Sequence, residues 1–190
     1  MKRILVLIII TFITQNLCAQ ILKAYSFAVT SEAIGLPFTN YLPLHPGIEI
    51  KGTFKKVERP TSQQVLNGNI GFFYHQKVAI GIYAGGEYQF SKKLFSQRIS
   101  LDFPIGLGYL HTIYPGEVYE ITDGELVEVN QKGRPHLYTN LGIGLTFIKS
   151  KKTNLFIRQE FMLELFGNTL TAIPHSLLKV GVQIKILRDE

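Results

Sequence analysis

The chain has 190 residues, which is one domain or slightly more. Charged residues make up 18% of it, against roughly 25% in an ordinary soluble domain, while 12% are aromatic and 17 residues are glycine. This composition argues against a disordered chain, and the single cysteine excludes a disulfide scaffold or a multi-cysteine zinc site. Without Lys2 and Arg3, 18 basic residues face 14 acidic ones, an excess too small to indicate nucleic-acid binding.

The N-terminus predicts a secretory signal peptide. A basic start is followed by an almost unbroken apolar run over residues 4–13 and by Leu17-Cys18-Ala19, which ends in a small residue. The run is shorter than the roughly 20 apolar residues of a membrane-spanning helix. We therefore expect residues 1–19 to be removed and residues 20–190 to form one domain. Lipidation of Cys18 is the alternative.

The rest of the chain alternates apolar and polar residues with the period of two that half-exposed strands show. The clearest case is the stretch 178–186, where Val180, Val182 and Ile184 share one face. Leu155–Leu165 also fits an apolar-rich helix, but the even spacing of its charged residues favours a strand. Eight strands are predicted, near residues 25–29, 48–54, 66–74, 78–90, 99–109, 141–147, 155–165 and 178–186.

The polar face of these strands is rich in glycine, which weakens strands and has no reason to crowd a solvated surface. Inside a narrow barrel, by contrast, glycine leaves room for large charged side chains opposite. We therefore expect the glycine-rich face to line a lumen and the apolar face to contact lipid. A secreted soluble barrel or sandwich is the alternative. The glycines are Gly71, Gly81, Gly85, Gly106, Gly108, Gly142, Gly144 and Gly181.

Connection lengths support this choice, because outer-membrane barrels have short periplasmic turns and longer outer loops. With the N-terminus in the periplasm, the turns 91–95 and 150–153 are short and the connections 32–45, 112–135 and 167–175 are long. Two connections depart from the rule. The tight turn at Gln76-Lys77 falls on the outer side, and the turn 58–64 is long for a periplasmic one.

A signal peptide, eight alternating strands and this length resemble the small outer-membrane β-barrel proteins of Gram-negative bacteria, with OmpA/OmpX-like architecture, over residues 20–187. The resemblance implies an all-β fold, an antiparallel eight-stranded transmembrane β-barrel in the outer membrane. It also implies outer-membrane lipid and the barrel-assembly machinery as partners. The last strand resembles the assembly signal of that family, with isoleucine where aromatics are usual. The matching positions are Lys179, Gly181, Ile184 and Ile186.

Eleven charged residues fall on the predicted luminal face. Because buried charges need partners, we expect them to form a salt-bridge network that fills the lumen and closes it to solutes. Replacing Arg158 is then expected to leave a carboxylate such as Glu160 or Glu164 less compensated. A gated polar path for small solutes is the alternative. The eleven residues are Glu49, Lys51, Lys55, Glu87, Arg98, Asp102, Arg158, Glu160, Glu164, Lys179 and Lys185.

The sequence predicts no catalytic residue, cofactor or metal site. His175 and Ser176 are adjacent, so on a strand they point to opposite faces. Barrel lipases that trim lipid A use a His, a Ser and a Glu on the lipid-facing side, but Tyr138 stands two residues after His136 in place of a serine. None of the histidines has the spacing of a known metal motif. They are His45, His75, His111, His136 and His175.

Two predicted outer connections have distinctive compositions. The loop 112–135 carries five acidic residues, which would suit a divalent cation or a basic partner, but a solvated loop that repels anionic sugars is favoured. The segment 36–46, rich in proline and aromatics, fits a cap over the barrel or a contact site.

The sequence thus predicts a structural or loop-presenting barrel whose outer loops would contact any protein partner. A transport component is the first alternative and a lipid-modifying enzyme the second.

Overall fold

The computed structural model describes residues 22–38, 42–75, 78–94, 98–122, 124–129, 133–150, 152–165 and 172–186. The predicted signal peptide, with Cys18, and the turn residues Gln76-Lys77 lie outside these ranges. Within them, no helix has the length and apolar character that crossing a membrane requires.

The described residues form ten strands: β1 (Ala24–Ile34), β2 (His45–Glu58), β3 (Ser62–His75), β4 (Ala79–Leu94), β5 (Ile99–Ile113), β6 (Val118–Thr122), β7 (Glu125–Val129), β8 (Gly133–Ile148), β9 (Thr153–Leu165) and β10 (Ala172–Lys185). Eight of them close into an antiparallel barrel in the order β1-β10-β9-β8-β5-β4-β3-β2. This confirms the predicted fold class, and the stretch with helical character is a strand, β9. Strands β6 and β7 form a separate hairpin.

The predicted outer connection over 112–135 contains a hairpin that the sequence analysis did not anticipate. Val118 pairs with Val129 and Thr122 pairs with Glu125. The sequence Asp123-Gly124 between the two strands is a strong short-range hairpin signal, because its favoured turn needs positive φ angles. Gly124 has a φ of 84°. The hairpin lies in the connection between β5 and β8, and these two strands pair directly with each other in the barrel.

The two ends of the barrel differ in the length of their connections. At one end, which we call the short-turn rim, β1 begins, β10 ends, and the strands are joined by residues 59–61, 95–98 and 149–152. At the other, the long-loop rim, residues 35–44, 114–132 and 166–171 join them. The connection 76–78 at the long-loop rim is short, as the sequence predicts. This asymmetry is the one expected of an outer-membrane barrel.

The outer wall of the barrel is an apolar surface. Side chains there alternate with buried luminal ones, and Val29, Ile70 and Leu107 are 57%, 65% and 71% exposed. Aromatic side chains stand on the wall towards both rims, in the arrangement of the girdles that flank a bilayer. They include Tyr25, Phe54 and Phe147 towards the short-turn rim and Tyr74 and Tyr109 towards the long-loop rim.

Candidate functional site: a filled lumen

The structure places eight of the eleven predicted luminal charges inside the barrel with at most 5% of the residue exposed: Glu49, Lys51, Glu87, Asp102, Arg158, Glu160, Glu164 and Lys179. Lys185, the last residue of β10, is partly buried and lines a cavity at the short-turn rim.

Lys55 and Arg98 are exposed, so the prediction is wrong for these two residues. A β-bulge shifts the register of β2 against β3 between Thr53 and Lys55. The extra residue reverses the inside–outside alternation, so Lys56 rather than Lys55 lines the cavity. Arg98 precedes the first residue of β5 and lies in a turn, where strand alternation no longer applies.

Seven of the buried groups form a central charge network, defined here as Glu49, Lys51, Glu87, Asp102, Arg158, Glu160 and Lys179. The Nζ atom of Lys179 donates to Glu49 Oε2 at 2.6 Å and to Glu160 Oε2 at 2.8 Å. The Nζ atom of Lys51 donates to Glu87 Oε2 at 2.6 Å and lies 3.5 Å from Glu49 Oε1. Each ammonium group therefore joins carboxylates from two different strands and crosslinks the wall.

Arg158 extends the network towards the short-turn rim. Its Nη2 atom donates to Gln89 Oε1 at 2.8 Å and lies 3.5 Å from Asp102 Oδ2, while Nη1 lies 3.7 Å from Glu87 Oε1. Its carboxylate partners are thus on β4 and β5. The sequence-based suggestion was that Glu160 or Glu164 would be less compensated without Arg158. The direct ion pairs are made with Glu87 and Asp102 instead, while Glu160 interacts with Arg158 only through its charge.

Neutral side chains complete the hydrogen bonding of the carboxylates. Asn67 Nδ2 donates to Glu87 Oε1 at 3.0 Å, and Asn140 Nδ2 donates to Glu160 Oε2 at 2.9 Å. Tyr83 donates its hydroxyl hydrogen to Glu49 Oε2 at 3.0 Å. Buried charges are tolerated when they are both paired and hydrogen-bonded, and these asparagines and the tyrosine supply the second condition.

An apolar layer lies between the central charge network and the long-loop rim. Its six members are each at most 3% exposed, and they come from six different strands. The rings of Tyr83 and Tyr138 meet edge to face, with their centroids 5.9 Å apart. The sequence-based account of a lumen filled by charges alone missed this layer. The members are Phe73, Tyr83, Leu110, Tyr138, Met162 and Leu177.

The luminal glycines make room mainly for these rings. A Cβ atom on Gly71 would lie 2.1 Å from Tyr83 Cζ, and one on Gly81 would lie 2.2 Å from Phe73 Cζ. Gly144 instead faces a charged side chain, since its Cβ would lie 2.4 Å from Arg158 Cγ. The expectation that glycine makes room for charged residues holds here, but aromatic residues take much of the space.

A histidine cluster fills the lumen at the long-loop rim: Glu32, His45, His75, His136, Glu164 and His175. His175 Nδ1 lies 2.9 Å from Glu32 Oε1, and its Nε2 lies 3.0 Å from Glu164 Oε2. Carboxylate oxygens only accept hydrogen bonds, so the imidazolium form of His175 satisfies both contacts. His75 Nδ1 lies 2.7 Å from Glu32 Oε2. Sequence spacing missed the cluster because its members come from six different strands.

A cavity of about 500 Å³ opens at the short-turn rim. Most of its lining residues are polar or charged, among them Lys56, Gln89, Asp102 and Arg158. The cavity therefore ends at the central charge network, whose members are almost fully buried.

The hairpin of β6 and β7 lies outside the barrel and carries several exposed side chains. Tyr119, Leu126 and Val127 are 51%, 72% and 47% exposed. The Tyr119 hydroxyl donates to the Glu117 carboxylate, and this hydrogen bond raises the pKa of the tyrosine. The acidic residues Glu125 and Glu128 are exposed as well.

Comparison with solved structures identifies the architecture. The chain is similar to Neisserial surface protein A (NspA), with a TM-score of 0.52 and 9% identity over 86% of this chain and 95% of that chain. It is also similar to the outer membrane enzyme PagL, with a TM-score of 0.50 and 11% identity over 86% of this chain and 99% of that chain. No protein-family model and no curated protein matches the sequence. The chain therefore has the fold of the small eight-stranded outer-membrane β-barrels.

Proposed function

We propose that this protein is a non-conducting outer-membrane barrel whose role is to hold its outer loops at the cell surface. The apolar outer wall with aromatic residues towards both rims supports insertion in a bilayer. The asymmetry of the connections supports a periplasmic short-turn rim and an exposed long-loop rim.

The layered lumen is the observation that carries the proposal. The apolar layer and the central charge network follow one another along the barrel axis, and every member of both layers is at most 5% exposed. An eight-stranded barrel is only just wide enough for its side chains to fill. A hydrated ion would have to displace both layers, so the folded barrel offers no continuous aqueous path.

The single-channel conductance of the purified mature protein in planar bilayers tests the closed lumen. We expect no steady open state. A protein that fails to insert would also give no current. Insertion is therefore verified separately in vesicles of the same lipid, by a difference in gel migration between unheated and boiled samples. A steady, ion-selective conductance in most insertions would contradict the proposal and would favour a transport component.

Removing the hairpin tests whether the barrel folds independently of the outer loop that it is proposed to hold. Ile113 and Gly133, which flank it, are direct partners in the barrel, so a short glycine-serine linker can replace residues 117–130. We expect the shortened protein to keep the folded gel mobility of the wild type, because no barrel strand is cut. Loss of the folded form would show that the hairpin is part of the barrel's structural core.

The position of Ser176 supports a non-enzymatic role. Both nitrogens of His175 are held by luminal carboxylates, while Ser176 accepts a hydrogen bond from Gln159 Nε2 at 2.8 Å. The two neighbours thus belong to separate hydrogen-bonded groups. An assay for release of fatty acids from lipid A by the refolded protein is expected to show no activity above the detergent blank.

A further inference from the structure

We propose that Glu32, His45 and His75 form a binding site for a divalent transition-metal ion of the zinc class at the long-loop rim. One potential ligand atom from each of the three residues lies within 4.8 Å of the other two. They come from β1, β2 and β3, which are neighbours in the barrel, and Glu32 is the register partner of His45. The closed barrel therefore gathers donors that the sequence keeps apart.

The donor set has the composition that zinc-class ions prefer. Imidazole nitrogens and a carboxylate oxygen bind zinc and its neighbours in the first transition series, whereas calcium and magnesium favour oxygen alone. Three protein ligands leave one position of a tetrahedron for water. The imidazole rings of His45 and His75 stack with centroids 3.6 Å apart, so both reach the same region beside Glu32.

Two of the three donors, Glu32 and His75, already lie close to coordinating distance, and the His45 ring must turn out of its stack on His75 to complete the set. Glu32 Oε2 and His75 Nδ1 are hydrogen-bonded at 2.7 Å. Ligand atoms that bind zinc at about 2.0–2.1 Å in a tetrahedron lie roughly 3.3 Å apart. The ion would take the place of the shared proton and push the two donors apart by about half an ångström. The side chain of His75 is 14% exposed, so this rearrangement takes place next to solvent.

The carboxylate of Glu32 is already oriented for this role. It is completely buried, and its second oxygen is held by His175, which is held in turn by Glu164. Such outer contacts orient metal ligands and are a regular part of metal sites.

Titration of the refolded full-length mature protein with zinc chloride, by calorimetry and by competition with a chelating dye, tests the site. We expect binding of one ion per chain. The double variant His45→Gln, His75→Gln is expected to lose this binding. His111→Gln is the matched control, because His111 lies on the outer wall, where it contacts the Tyr109 hydroxyl, and it is expected to bind like the wild type.

A second measurement covers the case in which the double variant does not fold. Copper(II) bound to the wild-type protein is expected to show coupling to imidazole nitrogen in its electron paramagnetic resonance spectrum. Zinc is expected to raise the urea midpoint of the wild type, because it binds the folded state alone. Absence of stoichiometric binding, binding retained by a folded double variant, or equal loss in His111→Gln would each overturn the proposal.

Discussion

Replacing Lys179 by methionine removes the most deeply paired cation of the central charge network. Methionine keeps an unbranched side chain of similar length and takes away the charge. Glu49 and Glu160 then lose partners at 2.6 and 2.8 Å and keep one ammonium group nearby, that of Lys51, whose Nζ lies 3.5 Å from one and 3.9 Å from the other. The neutral donors Tyr83 and Asn140 remain but carry no charge. Both carboxylates stay at most 2% exposed, so water cannot replace the ammonium group.

The expected loss follows from these contacts. Each hydrogen bond to a charged group contributes about 1.5–3 kcal/mol, and two are lost. The loss is less than the sum of these two contributions for two reasons. Lys51 continues to attract both carboxylates, and the variant does not have to bury an ammonium group, which costs free energy in the wild type. Measured losses from breaking buried ion pairs are about 3–5 kcal/mol, and we expect the free energy of unfolding to fall by that amount.

Lys93→Met provides the matched control. Lys93 Nζ lies 2.7 Å from Glu58 Oε1, nearly the same distance as in the buried pair, but the side chain of Glu58 is 49% exposed. Exposed pairs contribute about 0–1 kcal/mol. The protein has no tryptophan, so the folded fraction in urea is read from gel mobility after refolding in vesicles. Equal losses in the two variants, or a loss below about 1 kcal/mol for Lys179→Met, would show that the buried ammonium group does not stabilise the two carboxylates.

Three further expectations concern the wall and its closure. Ile143→Arg should cost roughly 2–4 kcal/mol if this exposed position lies near the bilayer midplane, and unchanged assembly into vesicles would show that the faces are reversed. Gly144→Ala should lower the free energy of unfolding by about 1–3 kcal/mol, because the new Cβ would lie 2.4 Å from Arg158 Cγ and 2.8 Å from the Ile157 carbonyl oxygen. Its control is Gly86→Ala, whose new Cβ would have nothing within 4 Å and which should not lower the urea midpoint. Unheated and boiled wild-type samples should migrate differently on a denaturing gel; identical migration together with solubility in the absence of detergent would contradict a closed membrane barrel.

The alternation of residues predicts the strands well because each side chain's face is set by its parity along the strand. Val180 and Lys179, for instance, lie on opposite faces as expected, at 54% and 1% exposure. Parity fails where a residue is inserted, as at Lys55, and where the strand has not begun, as at Arg98. Neither event leaves a clear signal in the alternation itself.

Pairing inside the lumen could not be predicted, because it depends on which strands face one another across the barrel. Arg158 is paired with Glu87 and Asp102, from strands that precede it by more than 50 residues. His175 and Glu32 are 143 residues apart. The spacing of residues within one stretch of sequence carries no signal of a site whose groups are brought together only by closure of the barrel.

The bond between Lys179 and Glu49 joins the last strand of the chain to its second strand, across the seam where β1 meets β10. A barrel still open at that seam exposes both groups to water, where each is well solvated and neither needs the other. Closing the seam removes both groups from water at the same time, so the ion pair and the final strand contacts form in one event. A chain that stops before β10 lacks this ammonium group altogether. The presence of β10 is therefore a chemical condition for locking the barrel, in addition to a geometric one.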